Sequence, residues 1–138
     1  EEVFYSYYQL GLLHLYNLKD VSQAEKYLLE AAKTNPNRYS EAAYHLIRHY
    51  RIASEYSKGL FWALSSLFPN SLTSNSAEMK QFLFVQSDIY HWRLKDEVSL
   101  ILYYVNKKDL SKILMQELLQ EAPKSQHQRI SNNLKFFT

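Results

Sequence analysis

The chain has 138 residues, no cysteine, two glycines, three prolines and a formal net charge of +2. That length suits one domain. So few turn residues exclude an all-β domain, which needs them about every 8–12 positions, and leave no glycine-rich loop to cradle a phosphate or dinucleotide cofactor. Without cysteine there are no disulfides, thiolate zinc sites or thiol nucleophiles, the charge is too small to argue for nucleic acid or an anionic membrane, and no apolar run nears the ~20 residues needed to cross a bilayer.

Taken in order, residues 2–18 carry Val3, Phe4, Tyr7, Tyr8, Leu10, Gly11, Leu12, Leu15 and Leu18 at spacings of three and four, which predicts a helix with a broad buried face. Gly11 inside it costs about 1 kcal/mol against alanine, so a close helix crossing is expected there. Asp20 with Gln23 fits a capping box for a second helix, with Val21, Ala24, Tyr27, Leu28, Ala31 and Ala32 on one side, ending before Pro36. A third helix is predicted over 39–54, with Ala42, Ala43, Leu46, Ile47, Tyr50 and Ala53 inward. After a break at 55–57 comes a fourth over 58–68, closed by Pro69. The stretch 70–76 reads as a linker and 78–85 as a short helix or an extended segment. A long helix over 88–105 faces Ile89, Trp92, Val98, Ile101, Leu102 and Val105 inward. Asp109 is expected to cap the next, with Leu110, Ile113, Leu114, Leu118 and Leu119 packing, and Pro123 ends it. A terminal helix over 125–136 packs back through Ile130, Leu134 and Phe137. The class is therefore all-α.

The helices recur. Leu10 and Leu46 are 36 apart, while Ala24 and Gly59, and Ala31 and Ser66, are 35 apart, the latter two pairs being small residues suited to close antiparallel crossings. Tyr7, Leu10, Gly11, Ala24, Tyr27, Leu28, Ala31 and Pro36 resemble a tetratricopeptide repeat, and Leu10-Gly11, Asp20, Ala24, Tyr27 and Ala31-Ala32 are similar to the related Sel-type repeat. A second repeat runs through Leu46, Tyr50, Gly59, Ala63 and Pro69, with Ile47 where a small residue is usual. A third, on Tyr104, Asp109 and Pro123, is degenerate. The resemblance implies a right-handed α–α superhelix, a TPR-like solenoid, as a single domain over 1–138 with repeats near 3–36, 39–69 and 77–123 and a capping helix at 125–137. The order Asn37-Arg38, Tyr44-His45-Leu46, Tyr50-Arg51, Phe84-Val85, Asp88-Ile89-Tyr90, Trp92-Arg93-Leu94, Asp96-Glu97 and Tyr103-Tyr104-Val105 further looks like a helical module found beside glycosyltransferase domains. That implies a catalytic domain elsewhere in a longer, cytoplasmic protein, and with Glu1 at its start the chain reads as a piece of such a protein. The module itself is then no enzyme and needs no cofactor. Its expected partner is a protein segment or the adjacent catalytic domain. The alternatives are a glycan bound by exposed tyrosines, or a scaffold role.

Twelve tyrosines offer apolar rings with polar tips, suited to half-buried helix seams and to binding faces. In tetratricopeptide arrays the first helix of each repeat lines a concave groove. The resemblance therefore places Tyr5, Tyr8, Leu12 and Tyr16, then Tyr44, His45, Arg48 and Arg51, on that surface. Guanidinium groups recognise carboxylates or phosphates bidentately, so an acidic or C-terminal peptide is the expected ligand. The carboxylate clamp of some such repeats uses lysine and asparagine at two positions that are Tyr8 and Leu12 here. The competing reading of this face is solvated, with Arg48–Glu41 and Arg51–Glu55 ion pairs. His45 and His49 share a helix face at metal-ligand spacing but lack the HExxH glutamate and a third ligand. Asp96 and Glu97 diverge by about 100° on a helix and cannot act together on one bond. An Arg93–Glu97 helical ion pair is expected instead, and Trp62 and Trp92 are expected in seams.

Overall fold

The computed structural model describes residues 2–67 and 88–137, with side chains through Leu64 in the first stretch. The described residues form seven α-helices and no strand: α1 (Glu2–Leu12), α2 (Val21–Thr34), α3 (Tyr39–Ile52), α4 (Tyr56–Leu67), α5 (Leu94–Tyr104), α6 (Lys108–Glu121) and α7 (Lys124–Leu134). Two π-helical turns, Leu13–Asn17 and Ile89–Arg93, extend α1 at its end and α5 at its start, and short 3-10 turns span Pro36–Arg38 and Lys135–Phe137. Thus the single helices read over 2–18 and 88–105 are each an α-helix joined to a π turn. The predicted stops at Pro69, the linker 70–76 and the segment 78–85 lie outside the described residues, as does the side chain of Ser66.

Helices pair in sequence as α1/α2, α3/α4 and α5/α6; α3 packs on α2 and α5, and α7 covers α6. The turn within each pair has one residue with positive φ: Lys19 at 56°, Ser54 at 59° and Asn106 at 66°. At Ser54 and Asn106 the backbone closes identically. Ser54 N–H donates to Arg51 and Glu55 N–H to Tyr50, while Asn106 N–H donates to Tyr103 and Lys107 N–H to Leu102. This double bond satisfies the last helical carbonyls and requires one left-handed residue between the helices. In the first turn the Asp20 N–H reaches one residue further back, to His14, because the π turn holds an additional residue. Asp20 caps α2 as expected, its carboxylate accepting from Gln23 N–H at 3.1 Å.

The core is continuous through the stack. Phe4, Tyr8, Leu28, Ala31, Leu46 and Tyr50 bury against one another between the first two hairpins. Ala43, Ile47, Ala63, Val98, Ile101 and Leu102 do so between the second and third, and Met115, Leu118 and Ile130 seat α7. Gly11 stands at the predicted crossing: an added Cβ would lie 2.5 Å from Leu28 Cγ. Gly59 is also crowded, yet by Ile101 of the third hairpin, 2.5 Å from its Cδ1, rather than by a partner within its own pair.

Several expected core positions face outward: Val3 and Leu18 are 57% exposed, and Leu10, Leu110 and Ile113 are also exposed. Leu10 and buried Leu46 are therefore not equivalent; Tyr8 and Tyr44, both buried, keep the 36-residue interval. Ala53 is exposed just past α3. Helix α4 starts at Tyr56, so the break before it is shorter than read. Lys107, not Asp109, occupies the N-cap of α6, without a side-chain bond; Asp109 lies in the first turn, where its charge favours the helix dipole.

Candidate functional site

A cleft of about 350 Å³ opens over the middle of α3. Tyr44, His45 and Arg48 form its floor, Tyr16 comes from the first π turn, and Asp88, Ile89 and Arg93 come from the second π turn and the residue before it. A π turn widens the helix by one residue and re-aims the side chains around it. The two turns flank α3 and converge on it.

His45 is held between phenols, its Nε2 2.7 Å from Tyr8 Oη and its Nδ1 2.7 Å from Tyr16 Oη. A neutral imidazole donates through one nitrogen and accepts through the other, so both nitrogens are committed and neither is presented as a metal ligand. His49 packs edge-on against Tyr50 instead. Among the described residues no three His, Asp or Glu side chains are grouped for a metal.

Cations border this floor. Burial pushes the Tyr16 phenol up, opposed by the positive charge of the nearby Arg48 guanidinium. Burial likewise raises Tyr44, opposed by the nearby Arg93 and Arg48 guanidiniums. Arg93 is held in its charged form first by Asp88 and then by Tyr44. Two guanidiniums thus lie beside one phenol at the cleft, while the adjacent carboxylate, Asp88, is half exposed and, among the described residues, pairs with Arg93.

The expected ion pairs are replaced by others. Arg51 does not pair with Glu55 but crosses to Glu97 on α5, donating from Nη2 to Oε1 at 3.1 Å and from Nε to Oε2. The hydrogen bond to Glu97 holds Arg51 above its usual value, and Glu97 has no pairing with Arg93. Arg48 makes no ion pair with Glu41, whose carboxylate is fully buried against Arg38 at 2.9 Å and accepts from Tyr90 Oη at 2.9 Å. Arg38 in turn lies 4.1 Å from the Phe4 ring centroid. Arg38 and Glu41 are out of solvent, and the bond from the half-buried Tyr90 fastens the second π turn to the start of α3, which fixes where Asp88 and Arg93 sit.

Of the predicted groove residues, the structure brings Tyr16, Tyr44, His45 and Arg48 together at the cleft. Arg51 lies in the adjoining cleft, tied to Glu97. Tyr8 is below the floor at 1% exposure, and Leu12 is half-buried against the core; neither lines the cleft. Tyr5 is half-buried and does not line the cleft. Burial of Tyr8 and Tyr44 leaves them no free ring face for stacking a sugar. Asp88 and Arg93 were missed as cleft residues: they stand more than 35 positions from α3, and only the stacking of the third hairpin on the second brings them in. Their one signal in the sequence is the charge pattern on the predicted helix. The chain has no match among protein-family models, characterised proteins or solved structures.

Proposed function

We propose that this chain is a non-catalytic interaction module, a short TPR-like solenoid whose cleft over α3 binds a carboxylate-bearing segment of a partner protein. The observation that carries the reading is the convergence of Arg48 and Arg93 on Tyr44, in an open cleft where Arg48 rests against phenols and makes no carboxylate ion pair among the described residues. A guanidinium donates two parallel hydrogen bonds to a carboxylate, and each charge-assisted bond is worth about 1.5–3 kcal/mol. Tyr16, 37% exposed, supplies rigid contact area beside it. The partner segment would displace Asp88 from Arg93 and take both cations. The resemblance to modules adjoining glycosyltransferase domains makes an acidic segment of such a domain the first partner to test.

The test is fluorescence anisotropy of a labelled glutamate-rich decapeptide titrated with the full chain. Binding is expected to weaken with added salt, since exposed charges are screened over about 8 Å at physiological ionic strength. The double variant Arg48→Ala/Arg93→Ala is expected to lose at least tenfold in affinity with an unchanged melting temperature. Equal affinity in that variant discards the reading. Arg51→Ala is a poor probe because it strands Glu97, which is 6% exposed, and would lower stability with binding.

A further inference from the structure

The cleft at Arg48 and Arg93 is one end of a longer trough. Tyr44, Arg48 and Arg93 border both it and a second cleft of about 380 Å³, and Leu100 and Asn133 border both that second cleft and a third of about 310 Å³. Along α5, its π turn and the residue before it, the bordering positions are 88, 89, 92, 93, 96, 97, 100, 103 and 104, a broad helical stripe with neighbours three and four apart, so the trough follows one side of that helix from end to end.

Its chemistry changes along the way. The first end is cationic. In the middle the charges are closed: Arg51 with Glu97, and Arg129 with Asp96 through two bonds of 3.2 and 3.0 Å. The far end is aromatic and apolar, walled by Tyr103, Tyr104, Met115 and Phe136, with Phe136 69% exposed and Tyr104 55% exposed. A large exposed ring at the end of a polar trough is the complement of an apolar anchor.

We infer that the trough takes an extended peptide bearing one acidic side chain at Arg48 and Arg93 and one bulky apolar side chain at Met115 and Phe136, four or five positions apart. The spacing follows from the helix. From Arg93 to Tyr104 is eleven residues, about 16 Å at 1.5 Å per residue, and an extended chain covers that in about five residues at 3.3 Å each. The inference rests on the carboxylate reading of the first cleft and adds the second anchor and its distance.

Labelled ten-residue peptides of serine and glycine with one glutamate and one phenylalanine, in both orders, would be titrated against the full chain by anisotropy. A pair four or five positions apart is expected to bind at least tenfold tighter than an adjacent pair. Phe136→Ser is expected to abolish that advantage with no change in the affinity for the adjacent pair. Equal affinity at all spacings, or no binding by any of the peptides, overturns the two-anchor inference. If glutamine replaces glutamate without loss of affinity, the carboxylate reading itself falls; if glutamate matters and spacing does not, only the two-anchor inference falls.

Discussion

Arg38 and Glu41 stand three positions apart, a spacing worth only a few tenths of a kcal/mol on an exposed helix. Here both side chains are fully inaccessible, joined by bonds of 2.9 and 3.0 Å, with Tyr90 donating to the same carboxylate. Desolvating two charges nearly cancels their attraction, so the pair contributes little net stability, but removing one partner leaves a buried charge without compensation. Glu41→Gln is therefore expected to lower the unfolding free energy by about 3–5 kcal/mol. Tyr90→Phe, which deletes one hydrogen bond, is expected to lower it by about 1 kcal/mol. Urea titration of both reads the difference, and near-equal effects would show that water reaches the carboxylate. Nothing in the sequence marks this pair as internal. Arg38 and Glu41 look like ordinary charges at a helix start, yet Phe4 and Tyr90, contributed from the first and third hairpins, pack against them. The same holds for the cleft: Arg48 was legible from its helix face, Arg93 was not.

At the scale of elements, the turns within the hairpins are the most regular feature of the stack. Lys19, Ser54 and Asn106 all adopt the left-handed conformation, which costs an ordinary residue about 1–2 kcal/mol and glycine almost nothing. Ser54→Gly and Lys19→Gly are each expected to stabilise the chain by about 0.5–1 kcal/mol, raising the melting temperature, with Asn106→Gly giving less because asparagine tolerates the region. Calorimetry of the single and combined variants checks this; a loss of stability in Ser54→Gly would mean its turn is not closed as described. Lys19 and Ser54 lie 35 apart, the interval found for Ala24 and Gly59. Ser54 and Asn106 lie 52 apart, so the turns share that interval between the first two hairpins and not the next. Helix identity was legible from apolar spacing, with Ala42, Leu46 and Ile47 in one stripe. The π turns were not. Residues 13–17 and 89–93 have ordinary helical composition, and the extra residue in each is accommodated by tertiary contacts.

Across the whole molecule, buried phenols close the seams between hairpins. Tyr8 reaches His45 from α1 to α3, Tyr50 donates to Glu25 from α3 to α2, and Tyr90 joins the second π turn to Glu41. For Tyr8 and Tyr90, burial is the first cause that pushes the phenol well above its ordinary value, with the charge of Glu41 next; for Tyr50 it is burial, then the bond to Glu25. A phenol whose folded value is raised keeps its proton while the unfolded chain loses one, so the stability it contributes is complete below about pH 10 and declines as pH rises beyond it. Each such group lowers stability by up to about 1.4 kcal/mol per pH unit in that range. Three acting together remove about 4 kcal/mol per unit, a large part of the ~5–15 kcal/mol a domain possesses. Unfolding free energy is therefore expected to be level from pH 7 to 9.5 and to fall steeply above pH 10. Tyr8→Phe, whatever its effect at neutral pH, is expected to reduce that slope by about a fifth to a third, because one proton no longer differs between the states while those of Tyr50 and Tyr90, and of the raised Tyr16 and Tyr44, still do. Urea midpoints at half-unit steps from pH 9 to 11.5, for the parent and the variant, decide it. A parent curve that stays level to pH 11.5 would mean the seams are open to solvent, whereas equal slopes in the two proteins would mean Tyr8 ionises as freely folded as unfolded.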